Sequence, residues 1–175
     1  MGDREVIPVH AYGFFTVSSN LEVNEIVVYE YADYSKYYAS IVKDLDRLNE
    51  ELGRLAANMQ SFLDAEEVVI NGERVRPRVV GTSLGFRGDP EEPYVAFFVH
   101  FRGRPRRGLN YYENIYEEEV AEYPYEAYWV FPPEAVVESV ECSGSAEIIE
   151  GRIVAIRVEE GERVVGYEKI IFRLP

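Results

Sequence analysis

Glu113, Glu117, Glu118, Glu119, Glu122 and Glu126 fall within 14 residues that also hold Tyr116, Tyr123 and Tyr125, with no Lys, Arg or His among them. Carboxylates at this density could hold a cation, do acid and base work on a sugar, or meet a basic protein. The nearby Tyr and Trp129 add rings of the kind that binding surfaces favour. A calcium loop, however, needs a set spacing of Asp and Gly, and three adjacent Glu cannot all point at one ion from either a helix or a strand. A glycosidase pair needs two carboxyls at a fixed separation, and here any Glu could pair with any other. No catalytic residue, metal ligand or cofactor is assigned. What remains is a charged face, because clustered like charge repels itself and is kept where it meets water or a basic partner.

The one-sided charge extends well beyond that cluster. Residues 108–151 carry 11 carboxylates and no basic side chain over 44 positions, leaving 21 carboxylates against 18 Lys and Arg elsewhere in a chain of net charge −14. Just before this segment, Arg102, Arg104, Arg106 and Arg107 lie in six residues. The core Arg102-Gly103-Arg104-Pro105 resembles an AT-hook, which would imply minor-groove binding. The likeness covers four residues and departs from the fuller pattern, since Phe101 stands where a Pro normally precedes it. The acidic body argues against nucleic acid, whose affinity comes largely from phosphate neutralisation. The expectation is a surface loop whose Arg residues pair with the neighbouring acidic run.

Gly81-Thr82-Ser83-Leu84-Gly85 is similar to the G-x-S-x-G pattern of serine hydrolases, with His100 downstream. That chemistry needs a strained strand-to-helix turn, whereas Leu84 to Pro93 shows no helix and no plausible third triad member lies between Ser83 and His100. A glycine-containing strand is the expected reading. His10 and His100 stand alone in strand-like runs and read as structural. In a strand over 125–131, Tyr125, Ala127, Trp129 and Phe131 share one face and Glu126, Tyr128 and Val130 the other. Most of these rings should be core, while an exposed Trp129 would be a platform for a sugar or peptide.

Composition bounds the remaining possibilities. At 175 residues and 47% apolar the chain can bury a real core, and it reads as a single α+β domain, with a possible sub-division into 1–107 and 108–175. The lone Cys142 cannot form an internal disulfide, the start is too polar for a signal peptide, and no apolar run reaches membrane-span length. These point to the cytoplasm and to no membrane partner. One Gln, two Met and one Cys beside abundant Glu and Arg suggest a heat-adapted source.

The elements that must position these groups follow from periodicity. Tyr38, Ile41, Leu45, Leu48, Leu52, Leu55, Met59 and Phe62 alternate three and four apart and predict one amphipathic helix of about eight turns over residues 35–63. Asp33 or Ser35 would cap it. Val42, Ala56 and Leu63 widen the stripe beyond a coiled-coil seam, which favours packing on a sheet face over pairing between chains. Strands are predicted over 9–17 and 25–31, a hairpin at Asn71-Gly72, and further strands over 79–86, 94–101, 125–131, 135–140, 148–158 and 164–174. Residues 110–123 fit a helix by spacing and a strand by their Tyr content. The resulting fold class is α+β: an antiparallel sheet or sandwich of about eight strands, with the long helix inserted after strand two.

For function, the leading expectation is a non-enzymatic interaction module facing a basic protein partner or a second copy of itself. The candidate binding residues are Glu113, Glu117, Glu118, Glu119, Glu122, Tyr123, Tyr125 and Trp129, flanked by the four arginines. The alternative is a small-molecule or carbohydrate pocket, open to hydrolytic chemistry, where the helix crosses a curved sheet, lined by Tyr, Trp129 and Glu and enclosing about 300 Å³ or more.

Overall fold

The structure, a computed structural model, describes residues 6–175. Strands β1 (Ile7–Val17) and β2 (Glu22–Ala32) form an antiparallel hairpin. Its turn is closed by Ser18, whose Oγ accepts from the Glu22 amide at 3.0 Å. The two helices α1 (Tyr37–Ile41) and α2 (Leu45–Ala65) follow, as the stripe predicts, but as two pieces rather than one. The break has a local cause. Asp44 takes an extended backbone and its Oδ1 accepts from the amides of Asp46 (3.1 Å) and Arg47 (3.2 Å), making it an N-cap, a role in which Asp serves a helix far better than in its interior. Upstream, fully buried Asp33 accepts from the Tyr38 amide at 2.9 Å and from the Ser35 hydroxyl at 2.7 Å. Tyr38 and Ile41 are buried beneath α1, whereas Leu45 at the start of α2 is 70% exposed.

The chain continues through β3 (Glu67–Ile70), β4 (Glu73–Val75), β5 (Arg78–Phe86), β6 (Pro93–Arg102), β7 (Gly108–Ile115), β8 (Glu119–Val120) and β9 (Tyr125–Val130). It ends in β10 (Val136–Glu141), β11 (Ser145–Ile149), β12 (Ile153–Val158), β13 (Arg163–Val164) and β14 (Tyr167–Leu174). Among the described residues these make a seven-stranded sheet, ordered β11-β12-β9-β1-β2-β6-β5, and a five-stranded sheet, ordered β10-β14-β7-β3-β4, with β8 and β13 as a separate ribbon. All pairings are antiparallel except β1 with β9. There are more strands than the eight expected: β8 and β13 are only two residues long and carry no periodic signal, and the single strand predicted over 148–158 is broken at Glu150 and Gly151, both at positive φ, into the hairpin strands β11 and β12. Strands from both sides of Arg107 contribute to each large sheet.

Residues 110–115 belong to strand β7, resolving the ambiguity in that stretch. Tyr112 lies in register between Ile70 of β3 and Ile170 of β14, so β7 is paired on both of its edges at this point. Asn110 caps no helix; its side chain holds the loop before β7 by donating to the carbonyls of Arg106 (2.8 Å) and Gly108 (2.9 Å). The Asn71-Gly72 turn forms as predicted, with both residues at positive φ (53° and 83°), the geometry that suits a two-residue hairpin. Asn71 is also buried. Its Nδ2 donates to the Arg104 carbonyl and to Asn110 Oδ1, both at 2.8 Å, and its Oδ1 accepts from the Tyr111 amide at 2.9 Å.

The two sheets pack face to face around Trp129. Its indole stacks on Phe15 with ring centres 3.9 Å apart and lies 4.5 Å from Tyr112, while Phe131 meets Phe172 at 4.6 Å. Leu55, Met59 and Leu63 dock α2 against this core. The single Gln of the chain, Gln60, pins α2 to the sheet edge: its Oε1 accepts from the Val79 amide at 2.9 Å and its Nε2 donates to the Pro77 carbonyl at 3.0 Å. The helix thereby covers part of an edge strand that would otherwise offer free ladder groups.

Candidate functional site

The acidic run divides among several sides of the molecule. Glu113 points out from the five-stranded sheet, accepts from the Tyr167 hydroxyl at 2.6 Å and lies 3.8 Å from Lys169. Glu126 points out from the opposite, seven-stranded sheet and accepts from the Tyr128 hydroxyl at 3.0 Å. Between them, Glu118 pairs with Arg163, and Glu117, Glu119 and Glu122 are exposed around the β8–β13 ribbon. Tyr123 and Tyr125 are half-buried. Trp129 is 1% exposed and belongs to the core, so its ring offers no platform to an outside ligand.

The arginine loop does not meet the acidic run. Arg102 pairs with Glu22 (3.7 Å), Arg104 with Glu73 (3.6 Å), and Arg106 donates to the Asn71 carbonyl (2.6 Å); Arg107 is exposed. These partners come from neighbouring strands that the loop crosses, which sequence proximity did not reveal. Gly103 is a packing residue: its amide donates to the Leu21 carbonyl at 3.0 Å, and a Cβ there would sit 2.5 Å from the Ile70 side chain.

Ser83 lies on strand β5 as an exposed residue with no turn into a helix. The flanking glycines serve the neighbouring strand. Gly81 is in register with Phe98 and Gly85 with Tyr94, and each ring lies over its glycine, where a Cβ on Gly85 would collide with Tyr94. His100 pairs with Arg78, four residues along β6 from the partner of Ser83, or about 13 Å away, so no dyad forms. His10 lies 3.4 Å from Glu30. Cys142 is half-buried, and burial followed by the nearby Glu168 pushes its thiol up to about 11, so it stays protonated and unreactive near neutrality.

The group that sequence reasoning missed lies between the layers. A cleft of about 190 Å³ opens where α2 crosses the inner faces of both sheets. Its walls are Phe15, Val27, Tyr29, Phe101 and Tyr112 from the sheets and Met59, Phe62 and Leu63 from α2; Phe62 is 70% exposed. Set into this apolar lining are Glu25 of β2, Glu66 at the C-terminal cap of α2, and Asn114 of β7. The Asn114 Nδ2 donates to Glu66 Oε2 at 3.0 Å, while its Oδ1 is buried without a hydrogen-bond partner. Glu168, the register partner of Asn114 on β14, stands behind it.

These carboxyls are electrostatically abnormal. Burial, then the charges of Glu66 and Glu168, pushes Glu25 up to about 8. Burial, then Glu66, lifts Glu168 to about 7. Glu66 is also raised by burial, a shift that its Asn114 hydrogen bond opposes. Burial raises the hydroxyls of Tyr29, Tyr112, Tyr116 and Tyr125 as well, with nearby Glu and Tyr residues adding to it. No Lys or Arg contributes to any of these shifts. The four cleft residues Glu25, Glu66, Tyr29 and Asn114 still touch solvent, so the space is a narrow water-reached cleft within the protein. One signal could have exposed it: Glu25 and Glu168 stand in phase with the apolar faces Val23-Val27-Tyr29 and Ile170-Phe172-Leu174, where a charge does not belong without a purpose.

The sequence matches no protein-family model and no curated relative. Among solved structures, the folded domain of LppM from Mycobacterium tuberculosis is similar at a TM-score of 0.49 and 11% identity, covering 97% of this chain and 92% of that one. An M1 zinc metallopeptidase from Deinococcus radiodurans gives a TM-score of 0.35 at 11% identity, covering 97% of this chain but 42% of the peptidase. This chain spans about two fifths of that enzyme, and neither likeness is close enough to carry an argument about fold or function. No helix among the described residues is long and apolar enough to cross a membrane.

Proposed function

We propose that this chain is a small-molecule-binding protein whose ligand enters the cleft between α2 and the two sheets. The observation that carries this reading is the buried Oδ1 of Asn114, which has no hydrogen-bond partner, set in one apolar cleft with the Glu25 carboxyl that burial pushes up to about 8. Burying a polar group without a hydrogen bond costs roughly 1–3 kcal/mol, and apolar residues of similar size would remove that cost. Groups held at such expense cluster at functional sites. The aromatic and aliphatic walls with a few polar groups set among them fit the usual composition of ligand sites, while the volume of about 190 Å³ falls below the usual ~300 Å³ and limits the cleft to a ligand of few heavy atoms. The test is an NMR-monitored fragment screen of the full chain. Binding that shifts the Asn114 side-chain amide and the Met59 methyl supports the reading; a broad library producing no shift at either group refutes it.

A second reading is favoured by the exposure of Glu117, Glu119 and Glu122: an interaction module that offers the 117–122 segment to a basic protein or to a second copy. It predicts salt-sensitive association that is lost when Glu117, Glu118 and Glu119 are all changed to Gln.

A further inference from the structure

We infer that the cleft takes a small organic cation, an alkylammonium group held between the carboxyls of Glu25 and Glu66 and the rings of Tyr29 and Tyr112. This rests on the ligand-binding reading above and specifies what that ligand must be. The unsatisfied atom in the cleft lining is an acceptor; the unpartnered donor Trp129 Nε1 lies in the core behind Phe15 and Tyr112, outside the lining. The Asn114 Oδ1 has no donor, and among the described residues no hydrogen bond or ion pair reaches the carboxyls of Glu25 or Glu168. A ligand that satisfies them brings N–H donors, and one that lets Glu25 ionise beside Glu66 and Glu168 must bring positive charge. None of the cleft walls supplies a Lys or Arg. The walls also offer Tyr29, Tyr112, Phe15 and Phe101, and aromatic faces attract cations through their ring quadrupoles.

The geometry distinguishes an organic cation from a bare metal ion. No three or more His, Cys, Asp or Glu among the described residues converge as a metal-ligand set. The space of about 190 Å³ suits a charged head with several carbon atoms. The apolar end of such a ligand would lie against Met59, Leu63 and exposed Phe62.

Charge linkage makes the inference testable. The groups facing Glu25 are Glu66 at the end of α2, Glu168 on β14, Tyr29 on its own strand and Tyr112 on β7, and all are neutral or negative. With the cleft empty, Glu25 holds its proton up to about pH 8. A bound cation favours the ionised form, so binding releases a proton and tightens as pH rises, up to about tenfold per pH unit below that midpoint.

The experiment is a two-dimensional NMR titration of the full chain with n-butylammonium, which stays charged in this range, and with 1-butanol as the neutral control, at pH 6.0 and 8.5. The expected result is saturable shifts at Asn114, Tyr112 and Met59 with the ammonium only, at least tenfold tighter at the higher pH. The isosteric Glu25→Gln variant, its fold verified by an unchanged spectrum elsewhere, should bind about tenfold more weakly at pH 8.5, the loss of one charge-assisted hydrogen bond. Equal binding of butanol, or affinity indifferent to pH and to Glu25→Gln, overturns the cation inference while leaving a binding cleft. Absence of shifts at these groups with both probes, together with a blank fragment screen, overturns both. A short peptide with one Lys gives the final arm: tighter binding than butylammonium assigns the ammonium to a protein side chain, and weaker binding assigns it to a free amine.

Discussion

Glu25→Gln should make this protein more stable at alkaline pH and less sensitive to pH overall. In the folded chain the carboxyl is held at about 8 against an ordinary value of 4.5. The folded state therefore keeps a proton that the unfolded chain gives up, so stability falls as pH rises from about 4.5 and levels off above about 8. A shift of that size corresponds to roughly 5 kcal/mol by linkage; because water reaches the cleft, about 2–4 kcal/mol is the working expectation. Glu168, lifted to about 7, acts in the same direction over a narrower window. Gln occupies the same volume and cannot ionise, so the variant should gain most of that amount at pH 9 and almost nothing at pH 4. Urea unfolding of both proteins at pH 4, 6, 7.5 and 9 measures it. A difference between them that is constant across this range would refute the argument, as would a wild type that gains stability between pH 5 and 8.

Substitutions at four further positions test the framework around the cleft. Trp129→Ala should cost about 3–5 kcal/mol, since it removes a fully buried indole stacked on Phe15 and touching Tyr112; thermal unfolding followed by circular dichroism would show it. Asn71→Ala should cost roughly 2–4 kcal/mol because it strands the Tyr111 amide and Asn110 and forces a positive φ, whereas Asn71→Gly keeps the turn and loses only the hydrogen-bonding share. Comparison of the two by chemical denaturation separates these contributions. Gly103→Ala drives a methyl into Ile70 and should destabilise by about 1–3 kcal/mol, while Gly53→Ala, on the open side of α2 with nothing nearby, should stabilise by up to about 1 kcal/mol. Opposite signs in calorimetry are the expected outcome.

Local patterns in the sequence were readable, and contacts between distant segments were not. The Asn71-Gly72 turn, the split of Trp129 and Tyr128 to opposite faces of β9, and the apolar stripe of α2 all follow from spacing alone. The break before α2 was less visible because the stripe continues through Leu45, while the capping of Asp44 depends on a backbone choice the stripe does not encode. The parallel pairing of β1 with β9 joins residues more than 100 positions apart, and nothing local announces it. That pairing buries Trp129 against Phe15, and so removes it from the surface it could have occupied. The candidate site was hidden for a related reason. Charge density drew attention to residues 113–126, whereas the informative carboxyls, Glu25, Glu66 and Glu168, are scattered in sequence and converge only when two sheets and a helix meet.

The account rests on carboxyl groups held uncompensated in a cleft until a cation arrives, and the carbon resonance of the Glu25 carboxyl reports on this directly. Titrated in the free protein it should show a midpoint near 8, and saturating n-butylammonium should lower that midpoint by a unit or more. A midpoint near 4.5, unmoved by the amine, would contradict the account.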